Sequence, residues 1–452
     1  MKIHFNKLNI IKISVLIGIL VSVLSCDKNE NTGPNVDYSV ALPRYFSFDT
    51  LERQYKTYNQ FIYNIMKSAY LWNDQVPQID YTQAKYTNDN GEALLRELAY
   101  KKLDKFSFIV DKESNDAFFE EGQSNGDKGI SYGADNALRI AFVYPGSPAD
   151  MAGIYRGMKV ERLNGKDAIA AVNDESIYDI LDEKTIEFDL VDSLGRSKTI
   201  SVSDGSYKLK TVPTYKVVQS GGKKIGYVLF TSFLSTSEAE LKEAFSSFKN
   251  NKIDELVVDL RYNGGGYVYI SAILAAMIGG NKVKDKVFCE FKYNKMVTKE
   301  YLNNEREVYG FEEVDESVDI DRVFFITSEG TASASELTIN SLKPYLDVKL
   351  IGDNTFGKPV GFPGFGYKDK VLYAVMFSTV NADGEGDYYN GIRPNRYAID
   401  DFSHQLGDIK EKRFSEAINY INNGTFASGS REEFIQQKYI QLYGISAIRG
   451  TR

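Results

Sequence analysis

The chain has 452 residues, a formal net charge of −8 and an apolar share of 43%. That length suits two or three domains with a large core, and the acidic balance argues against nucleic acid or anionic lipid as partner of the folded body. With only two cysteines and two histidines, neither a disulfide framework nor a transition-metal cluster organises it.

Residues 1–26 read as a targeting segment. Lys2, Lys7 and Lys12 give a basic start, and Ile13 to Leu24 is mostly apolar but short for a bilayer. Leu24-Ser25-Cys26 then places a small residue before a cysteine. The stretch resembles a bacterial lipoprotein signal, which implies lipidation at Cys26 and a membrane anchor. The expected location is the cell envelope, at the outer membrane and facing periplasm or exterior. The first 25 residues hold three lysines and no acid, so their removal takes the charge from −8 to −11. A lipidated Cys26 leaves Cys289 without an intrachain disulfide partner.

Residues 27–43 are polar, with Asn, Gly and Pro, and read as a flexible tether. Residues 44–111 read as an N-terminal helical domain. Leu51, Tyr55, Tyr58, Phe61, Ile62, Ile65 and Met66 recur at helical spacing. Trp72 follows, then an Asn88–Gly91 turn and a helix over Glu92 to Leu103 with Leu94, Leu95 and Leu98 on one face.

Residues 112–204 have a different texture of short strands and turns. Strands are predicted at Leu138–Tyr144, over Gly157–Gly165 closed by a turn, at Ile186–Val191 and at Thr199–Val202, with a helix over Asp174–Leu181. Gly146-Ser147-Pro148-Ala149, Ala152-Gly153-Ile154, Arg156-Gly157-Met158 and Leu163-Asn164-Gly165 follow in an order that resembles a PDZ domain. Such domains take a polypeptide end as an added strand and hold its carboxylate on loop N–H groups. The resemblance puts that substrate-binding loop at Gly129, Ile130, Ser131, Tyr132 and Gly133.

Residues 205–425 read as an α/β core. Ile225–Phe230 and Ile253–Leu260 are buried strands, and Ser237 opens a helix with Glu240 completing a capping box. Gly264-Gly265-Gly266 sits where a strand turns into a helix that runs to about Ile278. Three glycines there permit positive φ and close backbone approach to a ligand, although glycine corners are common in α/β folds. Val371–Val380 is strand-like. The acidic loop Asn381–Asn390 lacks the ligand spacing of a calcium site, and no metal or other cofactor is expected. Helices are predicted at Phe414–Ile421 and at Glu432–Leu442, the latter within a helical tail over 426–452.

The chain is organised around Gly330 to Glu336. An apolar strand, Val323–Ile326, precedes it, and Leu337, Ser341 and Leu342 follow at helical spacing until Pro344. Ser333 therefore sits at a helix N-terminus, where backbone N–H groups favour negative charge. A nucleophile and half of an oxyanion hole fit one such turn. The base is either His404 or Lys358, since His4 lies in the targeting segment. A lysine serves when desolvation keeps its amine neutral. The plain alternative is that Ser333 and Ser335 only cap a helix.

Together Thr231-Ser232-Phe233, Val258–Gly266, Thr331–Glu336 and Gly352–Lys358 resemble the carboxyl-terminal processing (tail-specific) serine peptidases, over about Tyr45 to Ile421. That resemblance implies a crotonase-like or caseinolytic-peptidase-like core preceded by a PDZ domain. It implies Ser333 as nucleophile, Lys358 as general base, and an oxyanion hole from the N–H of Ala334 and of Gly265 or Gly266. The family often carries a glutamine that steadies the lysine, where this chain has Phe362. The expected activity is a serine endopeptidase acting on polypeptides recognised near their C-termini, with a monomer favoured. A non-catalytic peptide-binding lipoprotein on the same fold is the alternative.

Overall fold

The computed structural model describes residues 55–86, 90–300, 302–426 and 440–442. Cys26, the tether and, of the Asn88–Gly91 turn, Asn88 and Asp89 lie outside these residues. The chain forms two compact units, neither of which is one contiguous stretch.

The first unit joins the N-terminal residues to two later segments, 289–310 and 360–379. Tyr58–Ser68 and Glu92–Leu98 are its N-terminal helices. The second is shorter than the predicted Glu92–Leu103, because residues after Leu98 turn away at Ala99 in extended backbone. Phe108–Asp111 pairs antiparallel with Lys370–Tyr373, which in turn pairs with Phe365–Tyr367. Val371–Val380 is thus not one strand but two, Lys370–Tyr373 and Phe377–Val380. Asn294 ties the later insertion to the helix end by donating to the carbonyls of Ser68 and Tyr70, both at 2.8 Å. Phe362 packs edge-on against Phe108 and tilted against Tyr373. Phe362, where the resemblance implies a glutamine, is therefore part of an aromatic cluster.

The second unit holds the remaining segments, 113–288, 311–359 and 380–452. Its first sheet uses β1 (Ile130–Ala134), β2 (Leu138–Val143), β3 (Lys159–Leu163), β4 (Thr185–Val191) and β5 (Ser197–Ser203), all paired antiparallel in that order. Leu138, Ile140, Val160, Leu163, Ile186, Phe188 and Leu190 form its core. Ser147 caps the short helix Pro148–Met151 by accepting the Asp150 N–H. Ser-Pro is the favoured pairing at a helix start.

Its second sheet is the α/β core. The strands run β6 (Thr214–Ser220), β7 (Lys223–Leu229), β8 (Glu255–Asp259), β9 (Arg322–Thr327), β10 (Asp347–Gly352) and β11 (Arg396–Tyr397). The β6–β7 pair is antiparallel and every later pair is parallel. All five residues of β8 are buried, as parallel strands covered on both faces require. Helices α1 (Ser237–Asn251), α2 (Val268–Gly279) and α3 (Ala334–Leu342) follow β7, β8 and β9, and α4 (Lys412–Asn423) follows β11. The capping box expected at α1 does not form. The Ser237 hydroxyl is engaged by Leu234 and Ser232, and Glu240 instead accepts the Val212 N–H at 2.8 Å.

A further strand, β12 (Ile440–Leu442), pairs antiparallel with β1. This corrects the helix predicted over Glu432–Leu442, whose described residues are strand. Backbone pairing along the β1 edge overrides the local preference there.

Candidate active site

Strands β8 and β9 are parallel neighbours, with Asp259 opposite Ile326. The loops leaving their carboxyl ends therefore emerge side by side, the usual place for a site in an open α/β sheet. The first loop is the glycine corner at 264–266, and the second is the serine turn.

Hydrogen bonds stitch the two corners together. The Thr331 hydroxyl donates to the Leu260 carbonyl at 2.8 Å, and the Ser328 hydroxyl donates to the Arg261 carbonyl. Ala332 N–H and the Ser335 hydroxyl both reach the Asn263 carbonyl, each at 3.1 Å. Behind them Ser271 of α2 donates to the Ala334 carbonyl at 3.0 Å. The corners approach so closely that a methyl on Gly265 would lie 2.7 Å from Ser333 Cβ and 3.0 Å from the Ala334 nitrogen. Only glycine fits there, and its φ of +103° is also one that favours glycine.

Ser333 itself has φ 56° and ψ −115°. A side-chain-bearing residue pays roughly 1–3 kcal/mol for such backbone, which persists only where its surroundings enforce it. The strained turn leaves Ser333 half-buried between buried Ala332 and Ala334. Ala334 is the first residue of α3, so its N–H has no carbonyl partner within the helix. Gly265 differs, because its N–H donates to Asn263 Oδ1 at 2.9 Å. Of the two glycines expected to supply an oxyanion donor, Gly265 thus has that group committed to its own corner.

Lys358 lies in the loop after β10 and is half-buried. The side chain that brings it to Ser333 is Glu336, in the first turn of α3. Glu336 Oε2 accepts the N–H of Ser333 at 3.0 Å and the N–H of Lys358 at 2.8 Å. Glu336 Oε1 accepts the Gly357 N–H at 2.7 Å and the Thr355 hydroxyl. The Phe356 N–H adds a bond to the Thr331 carbonyl at 2.9 Å. One carboxylate thereby fixes the serine turn and the lysine loop to each other. Burial pushes the Glu336 carboxyl above its usual range, opposed by the hydrogen bonds from Thr355, Lys358, Gly357 and Ser333. The sequence carries a signal for this junction, since a glutamate three residues after a serine at a helix start is capping-box spacing.

A second buried cluster lies under the glycine corner. Arg261 is fully buried and donates to Asp259, to Asp400 at 2.7 Å and to Glu411 at 2.8 and 2.9 Å. Arg156, from the turn before β3, reaches the same Asp400 and the Tyr262 hydroxyl. Burial alone would raise the Asp400 carboxyl, but Arg156, Arg261 and Arg413 overcome it and hold the group far below its usual range. The cluster joins residues up to 248 positions apart through Arg156 and the His404 carbonyl, and no local pattern announces it. His404 has its Nδ1 against Asp401 Oδ2 at 2.6 Å and the Ser403 hydroxyl at 3.0 Å, both sequence neighbours.

The expected capture loop forms β1 and the residue before it. Gly129 N–H is bound by Asp127 Oδ1 at 2.6 Å, so this loop donor already has a carboxylate from its own chain. Tyr207 and Ser124 hydroxyls hold the same Asp127.

Comparison with known proteins adds the following. The model of peptidase family S41 matches residues 224–397, and that of the peptidase S41 N-terminal domain matches residues 57–108. Over 376 residues the chain is 27% identical to a Staphylococcus aureus (strain MRSA252) protein assigned as a CtpA-like serine protease, covering 82% of this chain and 69% of that protein. Over 370 residues it is 28% identical to the carboxy-terminal processing protease CtpA of Bacillus subtilis (strain 168), covering 81% of this chain and 74% of that one. A solved structure assigned as an S41 protease from Bacteroides fragilis NCTC 9343 has a similar fold, with a TM-score of 0.62 at 23% identity, covering 81% of this chain and 97% of that one.

Proposed function

Because the chain belongs to peptidase family S41 and is a serine-type peptidase, we propose that Ser333 is its nucleophile and Lys358 its general base. The observation that carries this reading is the single Glu336 oxygen that accepts both their backbone N–H groups. Neutral Lys358 takes the hydroxyl proton as Ser333 attacks a peptide carbonyl. The tetrahedral oxyanion is met by the N–H of Ala334 and by that of Gly266, since Gly265 spends its own on Asn263. Lys358 then passes the proton to the departing amine, and water cleaves the acyl-enzyme.

The substrate in this reading is a polypeptide engaged near its C-terminus. Residues 112–204 act as a PDZ domain and β1 receives the polypeptide end as an added strand. The core is of crotonase type. Lipidation at Cys26 holds the enzyme at the outer membrane. Phe362 cannot orient an amine by hydrogen bonding, and the Glu336 clamp on the Lys358 backbone supports positioning of the base by another route.

Cleavage of an unstructured polypeptide by purified variants tests the assignment. Ser333→Ala is expected to abolish turnover, and Lys358→Ala to lower kcat by roughly 10²–10⁴-fold, the usual worth of a general base. Turnover by Ser333→Ala at the parent rate overturns it.

A further inference from the structure

Strand β1 has β2 on one side and β12 on the other. The β12 register is Ile440 opposite Ala134, Gln441 opposite Gly133 and Leu442 opposite Tyr132. Two of the five residues expected to receive a polypeptide end, Tyr132 and Gly133, are therefore already paired with this chain. The direction matters as much as the position. Numbers rise along β12 as they fall along β1, so β12 runs toward Gly129 and the loop before it. A captured C-terminal strand has to run the same way to bring its end to that loop. The Ile-Gln-Leu sequence alternates apolar and polar as a one-sided strand does. The loop itself is also occupied from within, through the Asp127 bond to the Gly129 N–H.

We propose that Ile440–Leu442 is an internal strap on the β1 edge, a stand-in ligand that an incoming polypeptide end must displace. This rests on the reading that residues 112–204 capture polypeptide ends. An edge strand offers one row of N–H and C=O groups, and the strap and a captured strand need the same row over Tyr132–Ala134. Occupancy by the strap lowers apparent affinity for substrate by the fraction of time the edge is free. The peptidase is thereby biased toward substrates whose ends pair with β1 better than Ile440–Leu442 does. A weakly pairing end meets a covered edge.

The test compares two full-length chains that both carry Ser333→Ala. One is otherwise unchanged and the other also carries Gln441→Pro and Leu442→Pro. Consecutive prolines remove the strap's N–H whichever of the two faces β1. Hydrogen exchange over Tyr132–Ala134 is expected to quicken about tenfold or more, with exchange over Leu256–Val258 of β8 unchanged as a check on the core. A fluorescein-labelled peptide with a free apolar C-terminus is expected to bind about tenfold tighter to the proline form. Unchanged exchange over Tyr132–Ala134 overturns the strap. Faster exchange with equal, measurable peptide affinity in both forms overturns the competition. Faster exchange with no peptide bound by either form refutes polypeptide capture at this edge, and the competition with it, while the strap contact itself survives.

Discussion

Glu336 and Asp400 are both carboxylates with almost no exposure, yet burial carries one up while the other is held far down. The difference is what faces them. Glu336 is met by three backbone N–H groups and a hydroxyl, dipoles that offset only part of the desolvation cost. Asp400 is met by the guanidinium groups of Arg156 and Arg261, full charges that reverse it. The dipole site joins the two loops that carry the proposed nucleophile and base. The charge site anchors the corner beneath them, just before the glycines. The comparison teaches that a junction which positions chemistry and a cluster which holds the fold use the same residue type, distinguished by its partners.

The largest effect expected is on the charge site. Arg261→Ala leaves Asp259, Asp400 and Glu411 buried without their shared cation, and should destabilise the protein by about 3–5 kcal/mol, the usual cost of breaking a buried ion pair. Chemical denaturation followed by tryptophan or tyrosine fluorescence measures it. A change within about 0.5 kcal/mol, typical of a surface site, would remove the cluster from the list of what holds the corner.

At the dipole site the effect falls on rate. Glu336→Gln keeps the shape but turns an amide N–H₂ toward donors. One lost buried hydrogen bond of about 1–3 kcal/mol corresponds to a kcat fall of roughly 10- to 100-fold. KM should move less, because the junction holds the backbone of the proposed nucleophile and base. A variant with raised KM and parent kcat would contradict the positioning role.

The smallest and most diagnostic difference is in pH dependence. Asp400 and Glu411 have folded values below their unfolded ones, so their contribution is present above the ordinary carboxylate range and is lost as pH falls through the folded values. Glu336 has the opposite sign. Its folded value is raised, so its contribution is fully present below the unfolded value and fades as pH rises through the folded one. Stability measured against pH should lose the second component in Glu336→Gln and keep the first. Parallel curves for parent and variant would show that Glu336 is not the group responsible.

Much of the core was legible from sequence because parallel buried strands are continuous apolar runs. Val323–Ile326 and Ile253–Leu260 mark β9 and β8 to within two residues, and small residues followed by Leu337 and Leu342 mark α3. Ser333 at a helix start and three glycines at a corner followed from the same logic. What sequence could not supply was allegiance between distant segments. Asp400 and Glu411 lie 139 and 150 positions from Arg261, and the segment 360–379 folds with the N-terminal residues. Ser237 and Glu240 matched a capping box by spacing, yet nearby backbone groups of Leu234, Ser232 and Val212 claimed both side chains. At Ile440–Leu442 the pairing of three residues with an edge strand outweighs the helical spacing of the sequence.

The central claim is that one serine, activated by one lysine, does the chemistry. A fluorophosphonate probe followed by peptide mapping tests it on the full chain. The account predicts a single adduct at Ser333, formed faster as pH rises, and slowed by roughly 10²-fold or more in Lys358→Ala. An adduct on another residue, or undiminished labelling of Ser333 in Lys358→Ala, would contradict it.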